Sequence, residues 1–232
     1  MEQYGFYCQQ EHDMGFDPKA DARRKAATRQ KIIETGFRVF CEKTIDATSI
    51  QEIADAAGIG IATVFRHFST KTALVADINT WIWNQYIEEA FHGIDWDDST
   101  AAEILDRYLG AFIDLYRNHR DLLRYNQFFN VYAQREGIPS RRTKPLLTVV
   151  DTVAARFHRM YEKAKTDGTL RTDVPEREMF SKTLHLMLAA VTRYAVGLVY
   201  DSGIEPEEEL MFLRDLLLRE YCAGAAPGHK CA

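Results

Sequence analysis

One stretch of the sequence, Thr48 to Lys71, has residue types and spacing suited to recognition. It reads TSIQEIADAAGIGIATVFRHFSTK, two short apolar-periodic segments around a tight turn at Gly58. Small Ala54 and Ala57 let two helices approach at a steep angle, and Ile53, Ile59 and Val64 are spaced to fill the interior between them. This is the helix-turn-helix pattern, whose second helix can enter a DNA major groove about 12 Å wide. A helical hairpin that binds nothing has the same geometry. The second helix opens with Gly60-Ile61-Ala62, a surface poor in hydrogen-bonding groups but able to pack on thymine methyls; Ile61 faces either the groove or the core.

Catalytic and metal signatures do not appear. The sequence has no G-x-S-x-G, H-E-x-x-H, P-loop or G-x-G-x-x-G pattern. The two closest histidines, His67 and His92, are 25 residues apart, and Asp95, Asp97 and Asp98 lack the glycine and glutamate of a calcium loop. We therefore expect no catalytic residues, no metal and no cofactor. The four cysteines are scattered, which argues against a disulfide framework and for a reducing, cytoplasmic setting.

The elements that must position this hairpin are helical throughout, because apolar residues recur at helical rather than alternating spacing. The periodicity predicts helices at about Asp21–Glu42, Ser49–Ala57, Gly60–His67, Thr70–Phe91, Thr100–Arg117, Arg120–Arg135, Pro145–Lys165, Pro175–Tyr200 and Glu207–Tyr221. Ser49 with Glu52 and Thr100 with Glu103 fit capping boxes, Thr48 being an alternative first cap. Gly58, Gly137, Gly168 and Gly203 punctuate the pattern. The expected fold is all-α, about nine helices, with an N-terminal three-helix DNA-binding head over 19–72 and a ligand-binding and dimerisation bundle over 73–223. Residues 1–18 and 224–232 are expected to be flexible; the first 18 have neither the positive start nor the apolar stretch of a secretory signal.

The order IIETGFRVFCEK, then DATSIQEIADAAGI, then TVFRHFSTKTAL resembles the TetR family of bacterial transcriptional regulators over about Ile32–Leu74. A later stretch, KAKTDGTLRTDVP, resembles the loop before that family's penultimate helix. The resemblance implies a DNA-binding head, a ligand-binding body and a homodimer built on the last two helices. It implies a phosphate contact at Thr48 and a recognition-helix contact at Thr63. Phe65 stands where tyrosine is usual, His67 where tyrosine or histidine is usual, and Lys71 matches a phosphate-binding lysine. Arg66 adds a donor fork, and Ile61 and Ala62 complete the expected DNA face. Gly60 in place of serine and Ile61 in place of a polar residue depart from the pattern.

Charge agrees with this division. The chain's net charge is −5, yet residues 18–75 hold ten basic and six acidic residues, a net of +4, which leaves −9 for the remainder. A basic module on an acidic body suits a front end that meets phosphate, although ordinary variation in surface charge produces such contrasts too. The basic run Lys19–Arg29 reads either as a solvated helix start or as a minor-groove arm. No apolar run reaches the ~18 residues that a membrane-crossing helix needs.

In the body, twelve aromatic residues fall between Trp81 and Tyr132, about twice the chain's 12%. Core packing accounts for most of them singly. As a group they suggest an aromatic cavity, with Tyr108, Phe112 and Tyr116 on one helix, Tyr125 and Phe129 on the next, and His185 and Tyr194 as polar contacts. A dimer interface is expected along the helix from Pro175, with one row at Phe180, Leu184, Met187, Val191, Tyr194 and Leu198 and a second at Ala189, Val196 and Val199 interrupted by His185 and Thr192, beside Leu210, Leu213, Leu216, Leu217 and Tyr221 of the last helix; burial of both rows within one subunit is the alternative. Two functions follow. The first is a regulator that is not an enzyme: a homodimeric repressor released from a palindromic double-stranded operator by a small apolar or aromatic effector. The second is a helical small-molecule carrier or enzyme whose helix-turn-helix is only scaffold.

Overall fold

A computed structural model of the chain describes residues 17–92, 94–197, 199–200 and 203–223, with the backbone alone at 140–143 and 146. Among these residues there are nine helices: α1 Pro18–Lys43, α2 Ile50–Ala57, α3 Ile61–His67, α4 Lys71–Ala90, α5 Ala101–Asn118, α6 Arg120–Glu136, α7 Ser140–Asp167, α8 Glu176–Val196 and α9 Pro206–Tyr221. Extended pairing among the described residues is a single bridge, Leu170 with Cys222, which ties the α7–α8 connection to the end of α9. No helix among them is long and apolar enough to cross a membrane.

The capping chemistry sets most boundaries. Ser49 and Glu52 close a full capping box on α2, and Thr100 with Glu103 does the same on α5. Three ends differ from the periodicity. Asp17 accepts from the Lys19 amide and Pro18 occupies the first turn, so α1 begins at Pro18, inside the segment expected to be flexible; the rest of that segment, and 224–232, lie outside the described residues. α7 starts at Ser140 and carries Pro145 inside its second turn. A proline there removes only one ladder bond, so it does not force the helix to begin at its own position. α8 stops at Val196 because Gly197 takes the left-handed conformation, φ 78°, which ends a helix at little cost for glycine. The rows extended to Tyr200 therefore leave the helix; Leu198 is outside the described residues.

One continuous apolar core runs through both parts of the chain. α4 is the shared element: it packs on α1 in the head and on α6 and α7 in the body. Gly36 of α1 allows this close approach, since a Cβ there would lie 2.9 Å from the Ile78 side chain of α4. Cys41 is a free thiol, whereas Cys222 is disulfide-bonded, which the scattered cysteines did not lead us to expect.

On the last two helices the apolar rows divide. Met187, Val191, Leu210, Leu217 and Tyr221 are buried within the chain, and Leu213 is half-buried. The outward apolar residues are Leu186, Phe212 (63% exposed) and Leu216 (47%). Of the expected interface rows, Leu216 is thus outward, while Leu217 belongs to the subunit's own core.

Candidate DNA-binding face and ligand cavity

α2 and α3 are joined by Gly58 in the left-handed region, φ 65° and ψ 37°. Only glycine adopts this without strain, and it lets the Gly58 and Ile59 amides bond back to Asp55 and Ala54 while the chain turns. Val64 of α3 is fully buried against this hairpin, which turns the opposite face outward. That face carries Ile61 (37% exposed), Ala62, Phe65 (47%) and Arg66, with Thr63 and His67 half-exposed. Ile61, which the sequence left open, faces outward. With 37% and 47% of their surface in water, Ile61 and Phe65 forfeit under half of the about 1.5–3 kcal/mol that full burial of such a side chain gains.

The electrostatic surroundings are positive. Arg66 donates to the Thr63 hydroxyl at 3.1 Å. The His67 imidazole is pushed below its ordinary value, first by partial burial and then by the charges of Arg66, Arg29 and Lys25, so it is neutral at physiological pH. Lys71 opens α4, half-buried, with its ammonium 5.9 Å from the centre of the Tyr132 ring. Burial lowers its pKa, while the nearby Asp46 carboxylate acts the other way.

Thr48 is a correction. It is 2% exposed, and its hydroxyl donates to the Thr44 carbonyl at 2.8 Å, so it is not presented to a phosphate. The cap belongs to Ser49. The Glu52 carboxylate accepts from the Ser49 amide at 2.7 Å and pairs with Lys43 at 2.7 Å; these contacts, Lys43 first, hold its pKa down to about 2. An anion already stands at the start of α2, where a phosphate was expected.

The body contains a cavity of ≈ 220 Å³ whose walls come from five helices: Trp83, Tyr86 and Ile87 of α4 with Phe91 just beyond its end, Tyr108, Ala111, Phe112 and Leu115 of α5, Asn126 and Asn130 of α6, Val149, Val150 and Val153 of α7, and Leu184 and Leu188 of α8. Tyr108 and Phe112 line it as expected; five other expected residues do not. Tyr125 is fully buried at the junction of head and body, donating to the Val75 carbonyl at 2.9 Å and packing its ring 5.5 Å from Phe37. Phe129 is buried in the core away from the lining. Tyr116 packs on Tyr194 with Arg120 over its ring, and Tyr194 donates to Glu209. His185 lies outside the cavity, in an adjoining open groove with Gln127, Thr192 and Arg193 that shares Asn126, Asn130 and Leu188 with the cavity wall. The four-residue spacing of aromatics named the right helices but not the face of α6 that turns inward. Trp83, Tyr86 and Phe91 belonged to the same aromatic cluster and were passed over; the asparagines and the α7 valines gave no sequence signal.

Among the described residues, His158, Glu162 and Glu176 form a group whose ligand atoms lie within 4.8 Å of one another, on the exposed side of α7 and the start of α8. His158 and Glu162 stand one helical turn apart, a His-x-x-x-Glu spacing that histidine pairs alone do not reveal. His158 is bound to Glu176 at 2.9 Å, which raises its pKa, and Glu162 is paired with Lys165, so ion pairing accounts for the cluster as it stands.

The geometry defines an all-helical protein with an N-terminal helix-turn-helix and a hollow helical body. Residues 32–78, the helix-turn-helix and its flanking helices, match the family model described as "Bacterial regulatory proteins, tetR family". It is similar to the HTH-type transcriptional regulator YerO of Bacillus subtilis, 31% identical over 101 residues, covering 41% of this chain and 33% of that protein. It is also similar to the HTH-type transcriptional repressor KstR2 of Rhodococcus jostii, 33% identical over 61 residues, covering 26% of this chain and 30% of that one. The chain thus spans about a third of the length of these two curated relatives. Among solved structures, a transcriptional regulator from Saccharomonospora viridis in complex with choline superposes with a TM-score of 0.68 at 17% identity, covering 85% of this chain and 99% of that one. The fatty acid degradation regulator FadR from Bacillus halodurans gives 0.65 at 15% identity, covering 88% and 96%. At these identities the likeness is one of fold.

Proposed function

We propose that this chain is a ligand-responsive DNA-binding transcriptional regulator, a repressor acting in the cytoplasm as a homodimer on a two-fold operator. Residues 19–72 are the DNA-binding unit and 73–223 the ligand-binding and dimerising unit. The observation that carries the reading is the outward face of α3, where Ile61 and Phe65 stand exposed beside Arg66 and no described residue covers them. Apolar side chains presented on a short helix beside basic groups fit a major groove lined by thymine methyls and phosphates. Lys71 supplies a phosphate contact, Thr63 and Arg66 polar contacts to base edges. The relatives named as transcriptional regulators and repressors favour the same reading.

The outward Leu186, Phe212 and Leu216 of α8 and α9 supply the dimer face. Two copies then hold their α3 helices about 34 Å apart, one turn of the duplex, as paired half-sites require. The cavity takes the effector. Its wall residue Trp83 lies twelve residues, about 18 Å, along α4 from Lys71. A ligand that favours one position of Trp83 favours one position of the head, provided it binds the two arrangements unequally.

Selection of bound sites from random duplex DNA tests the reading. An inverted repeat should emerge, Phe65→Ala should weaken binding to it about tenfold or more, and Lys71→Ala should weaken all sequences alike and reduce the salt slope by about one. No sequence-specific binding by the folded protein would refute it.

A further inference from the structure

The cavity's wall chemistry restricts what it takes. None of the fifteen described lining residues is a lysine, arginine, histidine, aspartate or glutamate. Arg156 stacks on Phe91 at 4.7 Å, but its guanidinium is occupied by the Ile87 carbonyl at 3.0 Å and the Glu88 carboxylate. A charged group entering such walls loses its hydration and finds no counter-charge. The lining rings also face one another edge-on: Tyr108 with Phe112 at 5.5 Å and Trp83 with Tyr86 at 6.1 Å. They already use one another's electrostatics, which leaves less for a cation.

The polar groups of the wall are mostly spoken for. Tyr86 donates to the Ala111 carbonyl, and the Asn126 carbonyl oxygen accepts from the Trp83 indole at 3.1 Å. The Asn130 amide is open to solvent, and Tyr108 is the buried exception: its hydroxyl is shut off from solvent and has no hydrogen-bond partner among the described residues. Burial raises its pKa, so it remains a neutral donor. A buried hydroxyl without a partner is uncommon and costly, and Tyr108 is a wall residue of the cavity, so an acceptor seated against its ring gains that hydroxyl once the ring turns towards it.

We infer, resting on the reading that this cavity holds the effector, that the ligand is an uncharged, largely apolar molecule of one or two rings with a hydrogen-bond acceptor that takes the Tyr108 hydroxyl proton. The size follows from the volume: a dry cavity of about 150 Å³ accepts benzene, and this one is ≈ 220 Å³. A carbonyl or ether oxygen supplies the acceptor without charge.

The experiment uses the full chain and four probes on one skeleton: 2-acetylnaphthalene, naphthalene, 2-naphthoate and a naphthylmethyl-trimethylammonium salt. Calorimetric titration should show the ketone binding at least about tenfold tighter than the carboxylate or the cation. In Tyr108→Phe the ketone should weaken about tenfold and naphthalene should not weaken, the loss expected for one buried hydrogen bond. The variant keeps the ring, and its ligand-free melting temperature should be unchanged or higher. The inference is overturned if either ion matches the ketone, if no probe binds, if the variant binds the ketone unchanged, or if it melts lower, because then the hydroxyl already has a partner. Operator release, measured separately, keeps the two ideas apart. Tyr108-dependent ketone binding without any effect on DNA sinks the regulator reading alone, and equal release by the carboxylate sinks this inference alone.

Discussion

Removing the hydroxyl of Tyr125 and that of Tyr108 is the same chemical change at two deeply buried rings, yet it should move stability in opposite directions. The Tyr125 hydroxyl donates to the Val75 carbonyl at 2.9 Å, joining α6 to α4 where head meets body. Deleting it in Tyr125→Phe loses one neutral hydrogen bond, about 1 kcal/mol net, while the ring keeps its contacts with Phe37 and Phe40. The Tyr108 hydroxyl has no partner among the described residues, so Tyr108→Phe removes an uncompensated desolvation of about 1–3 kcal/mol and leaves only an oxygen-sized gap. A gain of about 1 kcal/mol is the expected balance. The two variants should therefore differ by about 2 kcal/mol, or roughly 4–8 °C in Tm for a chain of this size. The assay is thermal and urea unfolding at one fixed protomer concentration, since dimerisation makes Tm concentration-dependent. Both hydroxyls are held neutral by burial, so the difference should be the same at pH 7 and pH 9. Equal loss in both variants would refute the reasoning, because it would mean that the partner of each ring is something other than what the geometry gives.

Charge placed at the outward apolar residues of α9 should split the assembly without unfolding it: Phe212→Asp and Leu216→Asp should run as monomers in light scattering, whereas Leu217→Asp, in the subunit's own core, should lower stability by several kcal/mol. Phe112→Leu should raise the effector concentration needed for operator release, while Phe129→Leu should cost about 1 kcal/mol of stability and leave that concentration unchanged. The Glu52 carboxylate, held down to about 2, stabilises the head above the ordinary carboxylate range, and this contribution should disappear as pH falls from about 4.5 towards 2. The melting temperatures of wild type and Glu52→Gln should thus differ at pH 6 and converge near pH 2; a constant gap would contradict the assignment.

Much of the molecule was legible in the sequence because its signals are local. Helix existence follows from 3.6-residue periodicity, and the starts of α2 and α5 from capping pairs three residues apart, where the partners are neighbours in the chain. The turn at Gly58 and the outward placement of Phe65 and Arg66 follow from the same short-range pattern, since Val64 must turn inward to fill the hairpin. Tertiary structure decided what depends on the rotation of one helix against another. It turned Thr48 inward, chose Phe212 rather than Leu217 for the outside of α9, and aimed Tyr125 at the head rather than the cavity. Helices apolar on several faces do not announce which stripe is buried; packing against α4, a sum of contacts distant in sequence, selects it. The cavity is of the same kind: it is space left over where five helices fail to fill the centre, and no single segment of the chain encodes it.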